Sequence, residues 1–419
     1  DLGLEQRAAR AFWAELPLFD AEALERPFAA RFPGAQGALA LLEACGRRDD
    51  PPELEWVGPP LRVLGRRGPR ALKVTLERRH EWFGALGGLS VEGERVELAR
   101  LLDSARRKER YVQVGPQAYV ELTDALRELL EGLADHARPS RRGLEFGPAA
   151  TDALRSLEGA GAALEADAAW RTLAARVEAS SQLAPAPPPT LRAELRPYQL
   201  EGFRWLARLA AWGAGGVLAD DMGLGKTVQA LALLLERSAL GPALVVAPTS
   251  VAFNWADEAR RFAPSLRLAI YADAHDREQA LAELGPGDVL IVSYGLLARD
   301  AERLAARRFA TLVFDEAQHL KNATTARSRA ARSLAADFRV ALSGTPVENH
   351  LGELWGLFAV VFPALLGSWE SFRRRYAAPI ERQADPAAAP ALARVIAPFL
   401  LRRTKAQVEA ELPPRTEVR

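Results

Sequence analysis

The sequence predicts an α/β protein, a doubly wound parallel sheet with helices on both faces, preceded by an α+β region with β-hairpins. Three observations predict it. Five short apolar runs in the second half, "GGVLAD", "ALVVAP", "VLIVSY", "TLVFDE" and "RVALSG", alternate with helical stretches and lack polar alternation, as strands buried on both faces do. Strand–turn–strand signals cluster in the first half. A proline-rich seam, "SSQLAPAPPPT", separates the two halves.

Taken in order, residues 1–50 set Phe12, Leu16, Leu24 and Phe28 among charges and are expected to be helical. Residues 51–137 are hairpin-rich. "RALKVTLE" has strand character, and "LSVEGERVELARLL" reads as strand, tight turn at Glu92–Gly93–Glu94, strand and helix. "RYVQVGPQAYVEL" repeats that form with a turn at Gly115–Pro116, and "TDALRELLEGLADH" follows as an amphipathic helix capped by Thr123. Residues 140–180, Ala-rich from 151, are expected to be helical. Together 1–180 form an accessory region. The prolines of 181–190 supply no backbone N–H, which suits an extended, semi-rigid linker. From 191 to 396, alternating strand and helix argue for the doubly wound domain, whose ligands sit at the carboxyl ends of the strands.

Composition narrows the class. The chain has 419 residues, more than one compact core usually holds, with 49% apolar and 26% charged residues, the proportions of an ordinary globular protein. Its net charge is +1, so a nucleic-acid site must be a local patch. Five lysines stand against 50 arginines, so a single arginine is weak evidence of function. One cysteine, Cys45, rules out an intramolecular disulfide framework and a cysteine-rich metal site. No apolar run approaches the roughly 18 residues of a membrane helix, and the charged first thirty residues do not form a signal peptide, so an intracellular protein is expected. The chain begins at Asp1 and "LPPRTEVR" carries no stop signal, which predicts a piece of something longer.

Three stretches carry chemistry. "GGVLADDMGLGKTVQALALLLE" places a Gly-rich loop between a buried strand and an apolar helix, so loop amides and the helix N-terminus converge on one spot that suits phosphate oxygens. Lys226 would reach the β- and γ-phosphates and the Thr227 hydroxyl would ligate Mg²⁺. Asp220 stands where the usual pattern has glycine, and the plain alternative is a glycine turn with a solvated lysine. "TLVFDEAQHLKN" ends an apolar strand in Asp315 and Glu316, with Asp315 directed toward a metal and Glu316 toward an attacking water. Alone it reads as a solvated acidic turn. "VALSGTPVENHLGELW" ends a strand in Ser343, Gly344 and Thr345, which by themselves read as a capped helix start.

Together these stretches resemble the superfamily-two helicases and translocases. Two more narrow the likeness to the Swi/Snf-type ATPases. "LRPYQLEGFRWL" is similar to that family's adenine-reading segment, with Gln199 at the glutamine position. "LVVAPTSVAFNWADEARRFAP" resembles its motif beside the nucleic-acid track, with Pro248, Thr249 and Ser250 followed by Asn254 and Trp255. The family's loop is commonly written Asp-Glu-Met-Gly-Leu-Gly-Lys-Thr, so Asp220 is its own departure from the glycine pattern, and only Asp221 replaces its more frequent Glu. "DEAQ" is the form of bacterial members, and 397–419, "PFLLRRTKAQVEAELPPRTE" within it, resembles the bridge toward a second lobe. The accessory region is similar, with less specific motifs, to that of bacterial Swi/Snf-like proteins.

The resemblance implies a RecA-like first lobe with ATP and Mg²⁺ as cofactors. The implied nucleotide residues are Gln199, Asp221, Met222, Gly223, Leu224, Gly225, Lys226 and Thr227, with Thr227 and Asp315 on the metal. Lys226, Asp315 and Glu316 are the implied catalytic set, and Pro248, Thr249, Ser250, Ser343, Gly344 and Thr345 the coupling and DNA-track set. It implies a DNA-dependent ATPase that pumps along double-stranded DNA and remodels a DNA-bound protein complex, in the cytoplasm at the nucleoid, with no membrane partner. The second lobe of such proteins supplies arginines worth about three to five orders of magnitude in rate. The chain as given is therefore expected to bind Mg-ATP weakly and hydrolyse it poorly. A strand-separating helicase and a nucleotide-gated scaffold stay open as alternatives. Arg373–Arg375 and Arg402, Arg403 and Lys405 are candidate phosphate contacts or a solvated face. Trp205 and Trp212 are expected in the core, and His319 either contacts the third motif or packs.

Overall fold

The computed structural model describes residues 35–46, 59–79, 82–140, 143–344 and 350–411. Of residues 1–50, expected to be helical, Ala35–Gly46 is a helix and the rest lies outside the described residues, as do Arg141–Arg142, Thr345 and the end of the bridge. The described residues form two compact units, one ending with Phe146 and Ala150–Trp170, the other made of Gly147–Ala149 and the chain from Arg171 onward.

The first unit runs α1 (Ala35–Gly46), β1 (Arg62–Arg67), β2 (Leu72–Arg79), β3 (Trp82–Val91), β4 (Glu94–Glu97), α2 (Leu98–Arg106), β5 (Tyr111–Gly115), β6 (Ala118–Leu122), α3 (Asp124–His136), β7 (Ala137–Ser140), β8 (Gly143–Phe146), α4 (Thr151–Gly159) and β9 (Ala163–Ala166). One sheet has the order β1-β6-β5 and the other β7-β8-β3-β2-β9, with β4 on β3. Alternation sets the faces: Leu72, Val74 and Leu76 of β2 point inward, each 1% exposed, while Lys73 and Glu77 face out. The turn into β4 has φ of 50° at Glu92 and 87° at Gly93, the left-handed pair that matches strand twist in a tight hairpin. Thr123 caps α3 as expected, its Oγ1 accepting from Leu126 N at 3.3 Å.

The expectation of helix across 140–180 needs correction. Residues 143–146 are β8, and 163–166 form β9, parallel to β2 from Lys73↔Ala163 to Leu76↔Ala166. Gly159-Ala160-Gly161 stops α4, with Gly161 at φ 97°, and frees the next residues to extend a sheet. The helical residues there are a short 3-10 turn at Pro148–Ala150, α4 and α5 (Ala168–Ser181).

The second unit holds α6 (Pro197–Trp212), β10 (Gly216–Leu218), α7 (Lys226–Glu236), β11 (Ala243–Ala247), α8 (Thr249–Phe262), β12 (Arg267–Ile270), β13 (Asp288–Ser293), β14 (Arg308–Phe314), α9 (Ala326–Ser333), β15 (Ala335–Leu342), α10 (Leu351–Val361) and β16 (Leu400–Leu401), with shorter helices between. Its sheet has seven strands in the order β12-β13-β11-β14-β15-β10-β16, and every pairing is parallel. β10 and β11 are buried at every position, because helices cover both faces. Phe203, Phe309, Phe314, Phe338 and Phe358 are all essentially unexposed in this core. Trp205 and Trp212 pack against it half-buried, and the Trp205 indole donates to Pro398 O at 3.0 Å. The proline-rich stretch belongs to this unit and is pinned along α6, where Arg208 Nε donates to Leu183 O at 2.7 Å and Arg204 Nε to Pro185 O at 3.2 Å. Among the described residues no helix is long and apolar enough to cross a membrane.

Candidate active site

The loop between β10 and α7 is shaped by what surrounds it. Gly225 enters α7 at φ 76°, and a Cβ there would lie 2.5 Å from Gln199 Nε2, so glycine is required twice over. Gln199 is held by its own helix start, its Oε1 accepting from Arg196 N at 3.0 Å, and its Nε2 donates to Leu224 O at 3.2 Å. Leu224 is fully buried beside Tyr198 and Val408, whereas Met222 and Gly223 are exposed at the loop tip. Lys226 Nζ donates to the carbonyls of Asp220 at 2.7 Å and Asp221 at 3.2 Å, folded back over its own loop.

Asp220 is the residue that departs from the glycine pattern, and it is fully buried. Its carboxylate accepts from Arg403 N at 3.1 Å and Arg403 Nε at 2.9 Å on Oδ1, and from Arg403 Nη2 and Gln229 Nε2 on Oδ2. Arg403 also donates to Tyr198 O and to Gln229 Oε1. Both open readings of Arg403, a phosphate contact or a solvated face, are therefore overturned: its guanidinium is enclosed by α6, α7 and the loop. Gly202 leaves room for this, since a Cβ there would stand 1.9 Å from Gln229 Oε1. The bridge continues along the loop, with Asp221 N donating to Arg403 O at 2.9 Å and Lys405 N to Asp221 Oδ2 at 3.0 Å. The sequence marked Arg403 as one of a basic cluster, and nothing in it named Asp220 as its partner.

The acid pair lies at the carboxyl end of β14. Asp315 N donates to Val246 O of the adjacent β11 at 2.8 Å, fixing the register where the strand ends. Its Oδ1 accepts from Glu316 N at 2.9 Å, its Oδ2 from the Trp255 indole at 2.8 Å, and its carbonyl from Tyr294 Oη at 2.8 Å. Glu316 occupies the left-handed region (φ 46°, ψ 53°), a conformation that costs a non-glycine residue of order 1–3 kcal/mol and that collects at functional sites. Gln318, which the sequence did not single out, links this strand end to the next. Its Nε2 donates to Glu316 Oε2 at 2.8 Å, and its Oε1 accepts from Ser343 Oγ at 3.4 Å. His319, expected either to contact the third motif or to pack, does the second. Its ring lies 5.1 Å from that of Tyr294, and its Nδ1 is 3.1 Å from an Arg327 nitrogen.

Ser343 is buried and donates its N–H to Leu218 O at 3.1 Å, so the third motif abuts the start of the phosphate-type loop. Gly344 closes on that loop too, a Cβ there lying 3.2 Å from Met222 Cγ. Pro248 ends β11, and Thr249 and Ser250 open α8 exposed to solvent. The structure thus brings Gln199, the 220–227 loop, Asp315, Glu316, Ser343 and Gly344 to one end of the sheet, with 248–250 alongside.

Electrostatics follow from burial. Lys226 is pushed below the usual amine value by desolvation, against the pull of Asp220, Glu316, Asp315 and Asp221. Burial raises the Asp315 carboxyl, opposed by the Trp255 and Glu316 hydrogen bonds and by the Lys226 charge. Glu258, further along α8, is raised by burial and by the Asp315 charge. A half-buried cation and a buried acid, both held at a cost, make a site arranged for groups that would compensate them. The Thr227 hydroxyl and the Asp315 carboxylate are hard oxygen donors of the kind Mg²⁺ takes together with phosphate oxygens. Arg373 and Arg374 are exposed on a π-helical turn, Arg373–Ala377.

Comparison with known proteins gives a consistent picture. The family model described as SNF2-related domain matches residues 198–419. The chain is 44% identical over 237 residues to YwqA of Bacillus subtilis (strain 168), named as an ATP-dependent helicase/translocase, a match covering 55% of this chain and 26% of that protein. It is 42% identical over 234 residues to the mouse chromodomain-helicase-DNA-binding protein 1-like, covering 54% of this chain and 26% of that one. Among solved structures, the Sulfolobus solfataricus SWI2/SNF2 ATPase core in complex with dsDNA is similar, with 39% identity and a TM-score of 0.51 over 55% of this chain and 49% of that one. The chain thus spans about a quarter of the length of these two curated relatives.

Proposed function

The chain belongs to the SNF2-related domain family, and from that premise we propose that it works as the first lobe of an ATP-driven motor that moves along double-stranded DNA and remodels protein bound to it. One observation carries the reading: a glycine loop with its lysine and an adjacent Asp–Glu pair stand at the same end of one parallel sheet, and Lys226 feels the charges of both acids. The likeness to an ATPase core bound to dsDNA supports duplex DNA as the track. A motor on chromosomal DNA belongs in the cytoplasm, at the nucleoid.

The residues divide the work. Gln199 braces the loop and faces the base of ATP; Asp221, Met222, Gly223, Leu224 and Gly225 wrap the phosphates with their backbone, and Lys226 leaves its own loop carbonyls to meet the terminal phosphates. Thr227 and Asp315 would hold Mg²⁺, which supplies charge neutralisation on the phosphate oxygens when bound. Glu316 orients the attacking water, and Gln318 carries its state to Ser343. Pro248, Thr249, Ser250 and Gly344 would form the DNA track, together with Thr345 outside the described residues.

The test is ATP hydrolysis with and without duplex DNA, on the 419-residue chain and on the chain joined to a second RecA-like lobe. Duplex-stimulated turnover only in the two-lobe protein, lost on Lys226→Ala, supports the motor. Stimulation by forked or single-stranded DNA with strand separation favours a helicase. Indifference to every DNA overturns the reading in favour of a nucleotide-gated scaffold.

A further inference from the structure

We infer that Trp255 is a positioning residue for Asp315, setting the carboxylate in the orientation that receives a metal ion. The inference rests on the nucleotide reading of the site and deepens it.

Asp315 is held at three points, and Trp255 makes the only one of these contacts that comes to the carboxylate from another element. The Glu316 N–H fixes Oδ1 from the next residue, and Tyr294 grips the main-chain carbonyl. Among the described residues Oδ2 is set by the indole alone, at 2.8 Å. Without that bond a single hydrogen bond, on Oδ1, is left to resist rotation about the last torsion, which has a broad, two-fold profile. An indole N–H donates and cannot accept, so it fixes an oxygen without competing for a cation. Each carboxylate oxygen keeps lone-pair capacity for a further partner.

The support is rigid. Trp255 is 1% exposed and sits in the main core of the unit, on the buried face of α8 with Ala252, Ala256 and Ala259. A buried indole seeks one acceptor, and here that acceptor is Asp315. A side chain in van der Waals contact on all sides has no alternative rotamer, so its N–H is aimed in advance. Packing alone would be served as well by an indole-shaped ring that lacks the N–H. The specific use of an indole is to place a donor where the carboxylate turns.

The experiment compares nucleotide binding by calorimetry with and without Mg²⁺, using a non-hydrolysable ATP analogue on the wild-type chain, on Trp255→Phe, and on a chain with benzothienylalanine at 255, which keeps the indole shape and lacks the N–H. Second-sphere partners of metal ligands are typically worth about 10–100-fold in metal affinity. Both variants are therefore expected to bind the Mg-free analogue as the wild type does and to lose roughly that factor from the gain that Mg²⁺ confers. An unchanged gain in the benzothienylalanine chain overturns the inference and leaves the nucleotide site standing. A wild-type chain that gains nothing from Mg²⁺ overturns the nucleotide reading itself, and this inference with it.

Discussion

The Asp220 carboxylate and the Arg403 guanidinium, 183 positions apart in sequence, meet as a buried, multiply hydrogen-bonded pair beneath the glycine loop. Each charge is tolerable inside the protein because the other is there. Removing one partner strands the other, a cost of about 3–5 kcal/mol. Asp220→Ala is expected to lose stability of that order in chemical denaturation, and Asp220→Leu combined with Arg403→Met to regain most of it. A loss below about 1 kcal/mol for the single change would mean that the pair is not the latch its geometry suggests.

On the proposed reading, Lys226 leaves its loop carbonyls to become the cation that meets the phosphates. Lys226→Ala in the two-lobe protein is expected to lower ATP turnover by about 10²–10³-fold, the usual penalty for deleting one preorganised electrostatic contact at a reacting centre. Steady-state phosphate release checks it.

On the same reading, Glu316 and Gln318 separate binding from hydrolysis. Glu316→Gln would then remove the group proposed to orient water, worth about 10²–10⁴-fold in rate, while leaving the loop untouched. Nucleotide affinity within a few-fold of wild type with turnover lost by that factor is the expected outcome. Gln318→Ala should follow the same pattern more weakly, since it breaks the link from Glu316 to Ser343 and not the acid itself. Parallel affinity and single-turnover measurements decide both.

Asp315 gives a pH dependence with a definite sign. Its carboxyl is raised by burial, so the folded chain holds that proton more tightly than the unfolded chain does. The stability this group contributes is fully present below the unfolded carboxyl's value of 3.8 and is lost as pH rises through the higher folded value. Asp315→Asn removes that charge, so the variant should be the more stable of the two at pH 7. The difference should shrink to nothing as pH falls toward 4. Thermal melts of both chains across that range check the sign, and a difference that grows on acidification contradicts it.

Much of this molecule was legible in the sequence because its signals are local. The five apolar runs became β10, β11, β13, β14 and β15; the turn at Glu92–Gly93 stands where it was expected, and the one expected at Gly115–Pro116 lies one residue on, at Pro116–Gln117. Asp315 and Glu316 sit at a strand's carboxyl end because a buried strand has to emerge into polar residues there. What stayed hidden depends on partners distant in sequence. Arg403 is one arginine among 50, and nothing near it names Asp220. β9 and β16 are too short to carry a period, and only their neighbours in the sheet define them. Gln318 and Trp255 become informative once β14, β15 and α8 lie side by side, because each acts through one side-chain bond across elements.

The pairing of β16 with β10 fixes where the chain can be cut. A truncation at 396, where a sequence reader would end the lobe, removes Leu400 and Leu401 and turns β10 into the outermost strand. The amides of Ala219 and Asp221 would lose their acceptors, and a short apolar strand would present an open ladder to any neighbouring molecule. Expression boundaries drawn beyond Lys405 keep that flank covered. Those drawn before it should give protein that self-associates, however complete its nucleotide residues are.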